Sequence, residues 1–183
     1  KFYTDKVKPL KSAMLNGFIR NAIEADKLKD YKKTYTNLEA AYRVSSKDTL
    51  YLYNAANQAV VNKDYDIAMN FYKELEGIGF TGVTTYYYAV EIQSGEKQSF
   101  SNEFDRDLYV KAGTHKDSSD ELTVSVKLEV FRSMAKIYKD LGDTENALLY
   151  IVKAKQIDPN DINLIVLESN IKWELGDIES YKI

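Results

Sequence analysis

One turn recurs through the chain at a fixed place. Lys29-Asp30, Lys63-Asp64, Gly142-Asp143 and Gly176-Asp177 each follow a stretch with apolar residues at helical spacing. Before Gly142, residues Phe131, Met134, Ala135 and Tyr138 stand at i, i+3, i+4 and i+7, which predicts a helix over 128–141 with one apolar face. After the turn, Ala147, Ile151 and Ala154 predict a second helix, ended by Asp158-Pro159 because proline disfavours a helical residue before it. The unit from 128 to 161 is 34 residues long.

The same frame fits elsewhere, and a fixed period constrains a fold more than any local propensity does. In 49–82, Ala56 stands where Ala135 does, Ala68 where Ala147 does and Tyr72 where Ile151 does. In 15–48 the frame carries Phe18, Ala22, Ala25, Leu38 and Ala41 and closes on Ser45-Ser46-Lys47-Asp48. A fourth copy opens at Ile162 with Ile165 and Ser169. Only Ala, Ser or Gly fits where two helices cross closely, and large residues fill the spaces between crossings. With 2 prolines and 8 glycines in the whole chain, long uninterrupted helices are expected.

These residues resemble the tetratricopeptide repeat (TPR), a helix-turn-helix unit. The unit at 128–161 follows the repeat's pattern nearly throughout. The others depart at Thr34 (a small-residue position), at Leu75 and Phe80 (Ala and Pro positions), and at Lys172 and Tyr181. The resemblance implies an all-α fold, an α-solenoid of stacked hairpins, in which no single hairpin buries its own face. The domains expected are a helical extension over 1–14, TPR 1 over 15–48, TPR 2 over 49–82, an insertion over 83–127, TPR 3 over 128–161 and a partial TPR 4 over 162–183. Pro9 is expected near the first turn of a helix running into TPR 1, where a missing amide donor costs little.

The insertion has a different texture. "TTYYYAVEIQSGEKQSF", 84–100, is rich in residues that suit a pleated surface, with Ser94-Gly95 as a turn, and predicts a β-hairpin with strands near 85–92 and 97–100. "SNEFDRDLYVKAG", 101–113, carries a Ser/Asn cap, early acids and a closing Lys-Ala-Gly, the order of a short helix. "THKDSSDELT" reads as a polar loop, with His115 solvated in it. In Tyr86-Tyr87-Tyr88, alternation along a strand turns at least one ring away from the core.

The combination "KDTLYLYNAA", "KDYDIAMNFYKEL", "RDLYVKAGTH" and "IYKDLGDTENAL" is similar to secreted or envelope TPR proteins of flavobacteria and other Bacteroidetes. That resemblance implies a periplasmic, envelope or secreted location and a larger parent with further repeats. The chain opens at Lys1 with neither an initiator Met nor a signal-like apolar stretch, which reads as a processed or excised piece. No apolar run approaches the ~20 residues of a membrane span.

The inventory argues against chemistry. The net charge of -3 lacks the basic excess that a phosphate backbone demands, which argues against nucleic acid. There is no cysteine to act as nucleophile or metal ligand, and no glycine-rich phosphate cradle follows a strand. The acids around Glu103, Asp105 and Asp107, or Asp117, Asp120 and Glu121, lack the spacing of a calcium loop. No catalytic residue, metal or cofactor is expected.

What remains is binding of a protein or peptide by the first-helix faces, which line the concave side of such an array. TPR proteins that clamp a C-terminal carboxylate place Lys and Asn in one unit, Asn in the next, and Lys with Arg in the third. The matching positions here hold Ile19 and Ile23, then Asn54, then Glu129 and Ser133, so that clamp is not expected. The contact set expected instead is Tyr53, Asn54 and Asn57, with Arg132 and Lys136 as a patch for an acidic partner. The alternative role is a spacer or assembly arm whose important contacts run end to end, through Trp173 and Tyr181.

Overall fold

The computed structural model describes residues 2–177, with side chains from residue 7 onward, so Tyr181 lies outside the described residues. Its elements in chain order are α1 (Phe2–Lys27), α2 (Tyr31–Val44), α3 (Leu50–Val61), α4 (Tyr65–Gly77), β1 (Thr85–Glu91), β2 (Lys97–Phe100), α5 (Glu103–Lys111), β3 (His115–Leu122), α6 (Lys127–Asp140), α7 (Thr144–Lys155) and α8 (Ile162–Glu174). Contacts divide the chain into a helical unit, up to Phe80 and from Lys127 onward, and a smaller unit over Thr81–Val126.

The recurring dipeptide makes the same turn each time. Lys29, Lys63, Gly142 and Gly176 all take a positive φ, between 58° and 79°. At the first turn the Lys29 amide donates to Asp26 and the Asp30 amide to Ala25; at the third, Gly142 donates to Lys139 and Asp143 to Tyr138. The second and fourth turns repeat the pattern, which is the paired 5→2 and 6→1 bonding that satisfies the last carbonyls of a helix. The aspartate then starts the next helix: Asp30 accepts from the Lys33 amide and Asp143 from the Asn146 amide. Asp64 departs, its carboxylate taken by the Tyr35 hydroxyl at 2.8 Å and the Asn62 side-chain Nδ2 at 2.8 Å.

Small residues close the helix crossings. Ala22, Ala25, Ala41, Ala55, Ala56, Ala59, Ala68, Ala135, Ala147 and Ala154 are all buried, with Leu52, Tyr72, Leu75, Met134, Ile151, Leu164 and Ile171 between them. Thr34 fills a small position because its hydroxyl returns to the Asp30 carbonyl at 2.9 Å, so its burial leaves no orphan donor. Phe80, standing at a proline position, is buried with its ring 5.5 Å from that of Tyr53. Polar ties run between hairpins: Arg43 on α2 reaches Glu74 on α4 at 2.5 and 2.8 Å, and Glu76 on α4 accepts from Tyr150 and Lys153 on α7, both at 2.7 Å.

Two expectations for the helices need correction. Pro9 lies inside α1, well past its first turn, and the extension is continuous with the first repeat helix in a single 26-residue element. The ring removes one main-chain bond, to the carbonyl four residues back, without ending the helix. The third unit's second helix ends at Lys155, ahead of Asp158-Pro159; the Gln156 and Ile157 amides close the last turn on Val152 and Ala154.

The smaller unit is a three-stranded antiparallel sheet in the order β2-β1-β3, with α5 packed on it. β1 and β2 form the expected hairpin, pairing Tyr87 with Phe100 and Val90 with Lys97. The expected polar loop is instead β3, paired from Thr85↔Leu122 to Glu91↔His115 with an irregularity between Tyr88 and Val90. It reads as a loop because every side chain of the strand after His115 is exposed, so no alternation marks it. Main-chain bonds to β1 make the strand, and Asp117 takes the left-handed conformation with φ 50°.

His115 is buried, contrary to the solvated reading. Its ring is edge-on to Phe100 and Tyr109, with Nε2 2.8 Å from Gln98 Oε1 and Nδ1 2.9 Å from the Thr114 hydroxyl. Arg106 on α5 is buried too, between Asp107, Asp120 and Glu103, with its guanidinium over the Tyr87 ring. Tyr86 and Tyr88 share the other face of β1, 6.2 Å apart, and Tyr86 is exposed.

Candidate functional site

Two grooves in the helical unit bring together the side chains singled out from sequence. The larger, about 440 Å³, lies between α6 and α8 and is lined by Arg132, Ser133, Lys136, Lys139, Asp140, Asn163 and Asn170 over Val166 and Leu167. These residues meet because α6 and α8 are the first helices of successive hairpins, and side chains three and four apart share a face.

The charges there are unevenly tethered. Arg132 is held by Asp161 at 2.8 Å and by Glu129, and the Glu129 hydrogen bond raises its guanidinium pKa against the opposing effect of burial. Lys139 pairs with Glu174 at 3.1 Å. Lys136 is exposed and, among the described residues, has no ion-pair partner. Two carboxamides, Asn163 and Asn170, add donors and acceptors suited to a peptide main chain.

The second groove, about 320 Å³, lies against α1, α2 and α3 and is more apolar: Ile19, Ala22, Ile23, Leu38 and Thr34 with Asp26, Asn54 and Gln58. Gln58 donates to Asp26 at 3.3 Å while its buried Oε1 has no partner. Asn54 is exposed at this groove.

The expected contact residues therefore fall in different settings. Arg132 and Lys136 share the α6–α8 groove, and Asn54 lies in the other. Tyr53 is half-buried against Phe80, and Asn57 accepts the Tyr72 hydroxyl at 2.6 Å. Burial, above all, pushes that buried hydroxyl up to about 12, so it stays a donor to Asn57. Asn163 and Asn170 escaped the sequence reading because contact residues were sought only on the first helices of the first three units, although the fourth copy aligns from Ile162. The signal that finds them is their position on the helix that follows the clearest repeat.

Among the described residues, no group of three or more His, Cys, Asp or Glu side chains is placed to hold a metal ion. No helix among them is long and apolar enough to cross a membrane.

The fold is similar to that of a solved protein, YrrB, a TPR protein with an unusual peptide-binding site. The TM-score is 0.51 at 14% identity, over 90% of this chain and 61% of that one. This chain thus spans less than two thirds of YrrB, and at such identity the likeness speaks for the fold alone. No protein-family profile and no curated protein matches the chain.

Proposed function

We propose that the protein is a non-catalytic interaction scaffold whose stacked units, at 15–48, 49–82, 128–161 and from 162 onward, hold a protein or peptide partner. The site proposed is the α6–α8 groove, and the partner is an extended segment carrying acidic side chains. One observation carries this reading: Lys136 stands exposed between two tethered cations and two carboxamides, above an apolar floor. A peptide carboxylate gains an untethered cation there, and its main chain gains Asn163 and Asn170. YrrB's peptide-binding site lends the reading general support. The envelope or secreted location belongs to the same proposal and is tested by fractionating cells that make the whole protein.

The test is fluorescence anisotropy with labelled peptide pools rich in Asp and Glu, in Lys and Arg, or in neutral polar residues. The acidic pool is expected to bind tightest, and Lys136→Glu to weaken it by about tenfold, since reversing one contact charge is worth ~1.4 kcal/mol. Asn54→Ala, in the other groove, is expected to leave binding unchanged. Equal binding of the acidic and basic pools, or indifference to Lys136→Glu, rejects the groove.

A further inference from the structure

We infer that the groove against α1, α2 and α3 receives a long basic side chain of a binding partner, arginine above all, with its stem on the isoleucines of α1 and its cation on Asp26. The inference does not rest on the α6–α8 groove and concerns the separate pocket of about 320 Å³.

One wall of this pocket is graded from apolar to acidic. Ile19, Ile23 and Asp26 stand at i, i+4 and i+7, so they share one face of α1 and run in that order towards its C-terminus. Asn54 and Gln58, four apart, share a face of α3, and Leu38 of α2 adds to the apolar part. Ile23 is 51% exposed here. A side chain that fits such a gradient has several methylenes and a charged end, as lysine and arginine do.

The sign of that charge follows from acceptors that the chain leaves unmatched. Asp26 is exposed and, among the described residues, has no ion-pair partner; the hydrogen bond it accepts comes from Gln58 Nε2, at 3.3 Å. One turn back on α1 stand Ala22 and Ile23, which carry no charge. Lys27 also lines the groove, but successive residues of a helix do not face each other, so it does not neutralise Asp26. Asp26 in turn fixes the Gln58 amide in one sense. Turning that amide over would set Oε1 against the carboxylate, acceptor against acceptor, so Nε2 faces Asp26 and Oε1 is left closed to water and without a donor. A buried acceptor left unpaired is costly, and a ligand that pairs it recovers that cost on binding.

A guanidinium answers both acceptors. It forms a charge-assisted bond to the Asp26 carboxylate, which frees the half-buried Gln58 amide to turn, and a second N–H of the same planar fork meets Oε1. An ammonium makes the first bond but lacks the fork that reaches the second. A carboxylate ligand would meet Asp26 as a like charge, and a wholly apolar one would leave both acceptors unmatched. One side chain buries little area, so the affinity stays below that of an acidic segment in the α6–α8 groove.

Titration of the isotopically labelled full chain with blocked Gly-Ser-Xaa-Ser-Gly peptides, Xaa being arginine, lysine, norleucine or glutamate, tests this through backbone amide shifts. The arginine peptide is expected to bind tightest, about tenfold better than norleucine, with the largest shifts at Ile23, Asp26 and Gln58. Asp26→Asn is expected to weaken the arginine peptide about tenfold and to leave norleucine unchanged. Gln58→Met keeps the length of the side chain and removes the orphan oxygen, so it is expected to raise the unfolding midpoint of the free chain while weakening arginine binding. Lys136→Glu is expected to leave the arginine peptide unaffected, and Asp26→Asn the acidic pool, so the two grooves fail separately. Arginine and norleucine binding alike, tighter binding of glutamate, arginine binding indifferent to Asp26→Asn, or no saturable shift at all overturns the proposal. So does a Gln58→Met chain less stable than the wild type, because the oxygen would then be partnered within the chain.

Discussion

Removing the Glu76 carboxylate should loosen the tie between the second and third repeat units, which are separated in sequence by the smaller unit. Glu76 accepts the Tyr150 hydroxyl and the Lys153 ammonium, each at 2.7 Å. The two parts differ in worth. The Lys153–Glu76 pair is 33% and 27% exposed, so solvent screening limits it to about 1 kcal/mol. Tyr150 is buried, and its hydroxyl loses its acceptor in Glu76→Ala, which costs a further 1–2 kcal/mol or so. Glu76→Ala is thus expected to lose about 2–3 kcal/mol in urea unfolding, and its Tm to fall by roughly 4–10 °C for a chain of this size. Glu76→Gln, which still accepts from Tyr150, should lose only about 1 kcal/mol, and a double-mutant cycle with Lys153→Ala should return a similar coupling. Burial works against the Glu76 charge, but hydrogen bonds from Lys153 and Tyr150 outweigh it and hold the carboxyl below the usual 4.5. A carboxyl depressed in the folded state stabilises above the unfolded pKa and loses that contribution as pH falls through the folded one. The gap between wild type and Glu76→Gln should therefore be full at pH 7 and close only as pH falls through the depressed carboxyl value. A loss under about 0.5 kcal/mol in Glu76→Ala, or a gap that persists in acid, refutes this account of how the units are joined.

The remaining predictions concern the turns and the sheet. A Cβ added at Gly142 meets nothing within 4 Å, so Gly142→Ala isolates the cost of a left-handed residue, about 1 kcal/mol by urea unfolding; a neutral result refutes it. Lys29→Gly and Lys63→Gly relieve that cost but loosen the unfolded chain, leaving a gain of about 0.5 kcal/mol each. His115→Ala empties the space between Phe100 and Tyr109 and removes the partner of Gln98, while Thr114 keeps its bond to the Tyr109 carbonyl, a loss of about 2–3 kcal/mol. Hydrogen exchange should report it as faster exchange at β1 amides with unchanged amides around Leu52 and Met134, and an equal change in both places counts against it.

The helical unit was legible because a short-range cause writes it into sequence. A left-handed residue followed by an aspartate recurs at each hairpin turn, and small residues, mostly alanine, recur where helices cross, so both show as a period. Lys29 and Lys63 show that glycine is not required, only tolerance of a positive φ. β3 was not legible, because its partners are in β1, some thirty residues away, and its exposed side chains carry no pattern. His115 and Arg106 were missed for the same reason: their burial comes from Phe100, Tyr109 and Tyr87 across the sheet and from α5, and a polar sequence context gives no sign of it. Sequence places Tyr53 and Asn57 on one face of α3 without revealing that Phe80 and Tyr72 already engage them.

The tethering of charge in the α6–α8 groove separates positioning from contact. Arg132 spans α6 and the start of α8: Glu129 on its own helix holds it, and Asp161, which also caps α8 through the Leu164 amide at 3.0 Å, anchors the far end. A partner carboxylate approaching Arg132 must compete with two acids in place, so little is gained by the exchange. Replacing Arg132 should therefore cost stability at the α6–α8 junction as well as binding. Lys136, one turn along, has no acid to lose, and a partner's carboxylate there adds an interaction without breaking one. Of the two cations expected from sequence to serve as one patch, Arg132 ties α6 to the start of α8, and in the proposed reading Lys136 is the contact. Lys136→Met should accordingly weaken acidic-peptide binding with little change in unfolding free energy, whereas Arg132→Met should lower both.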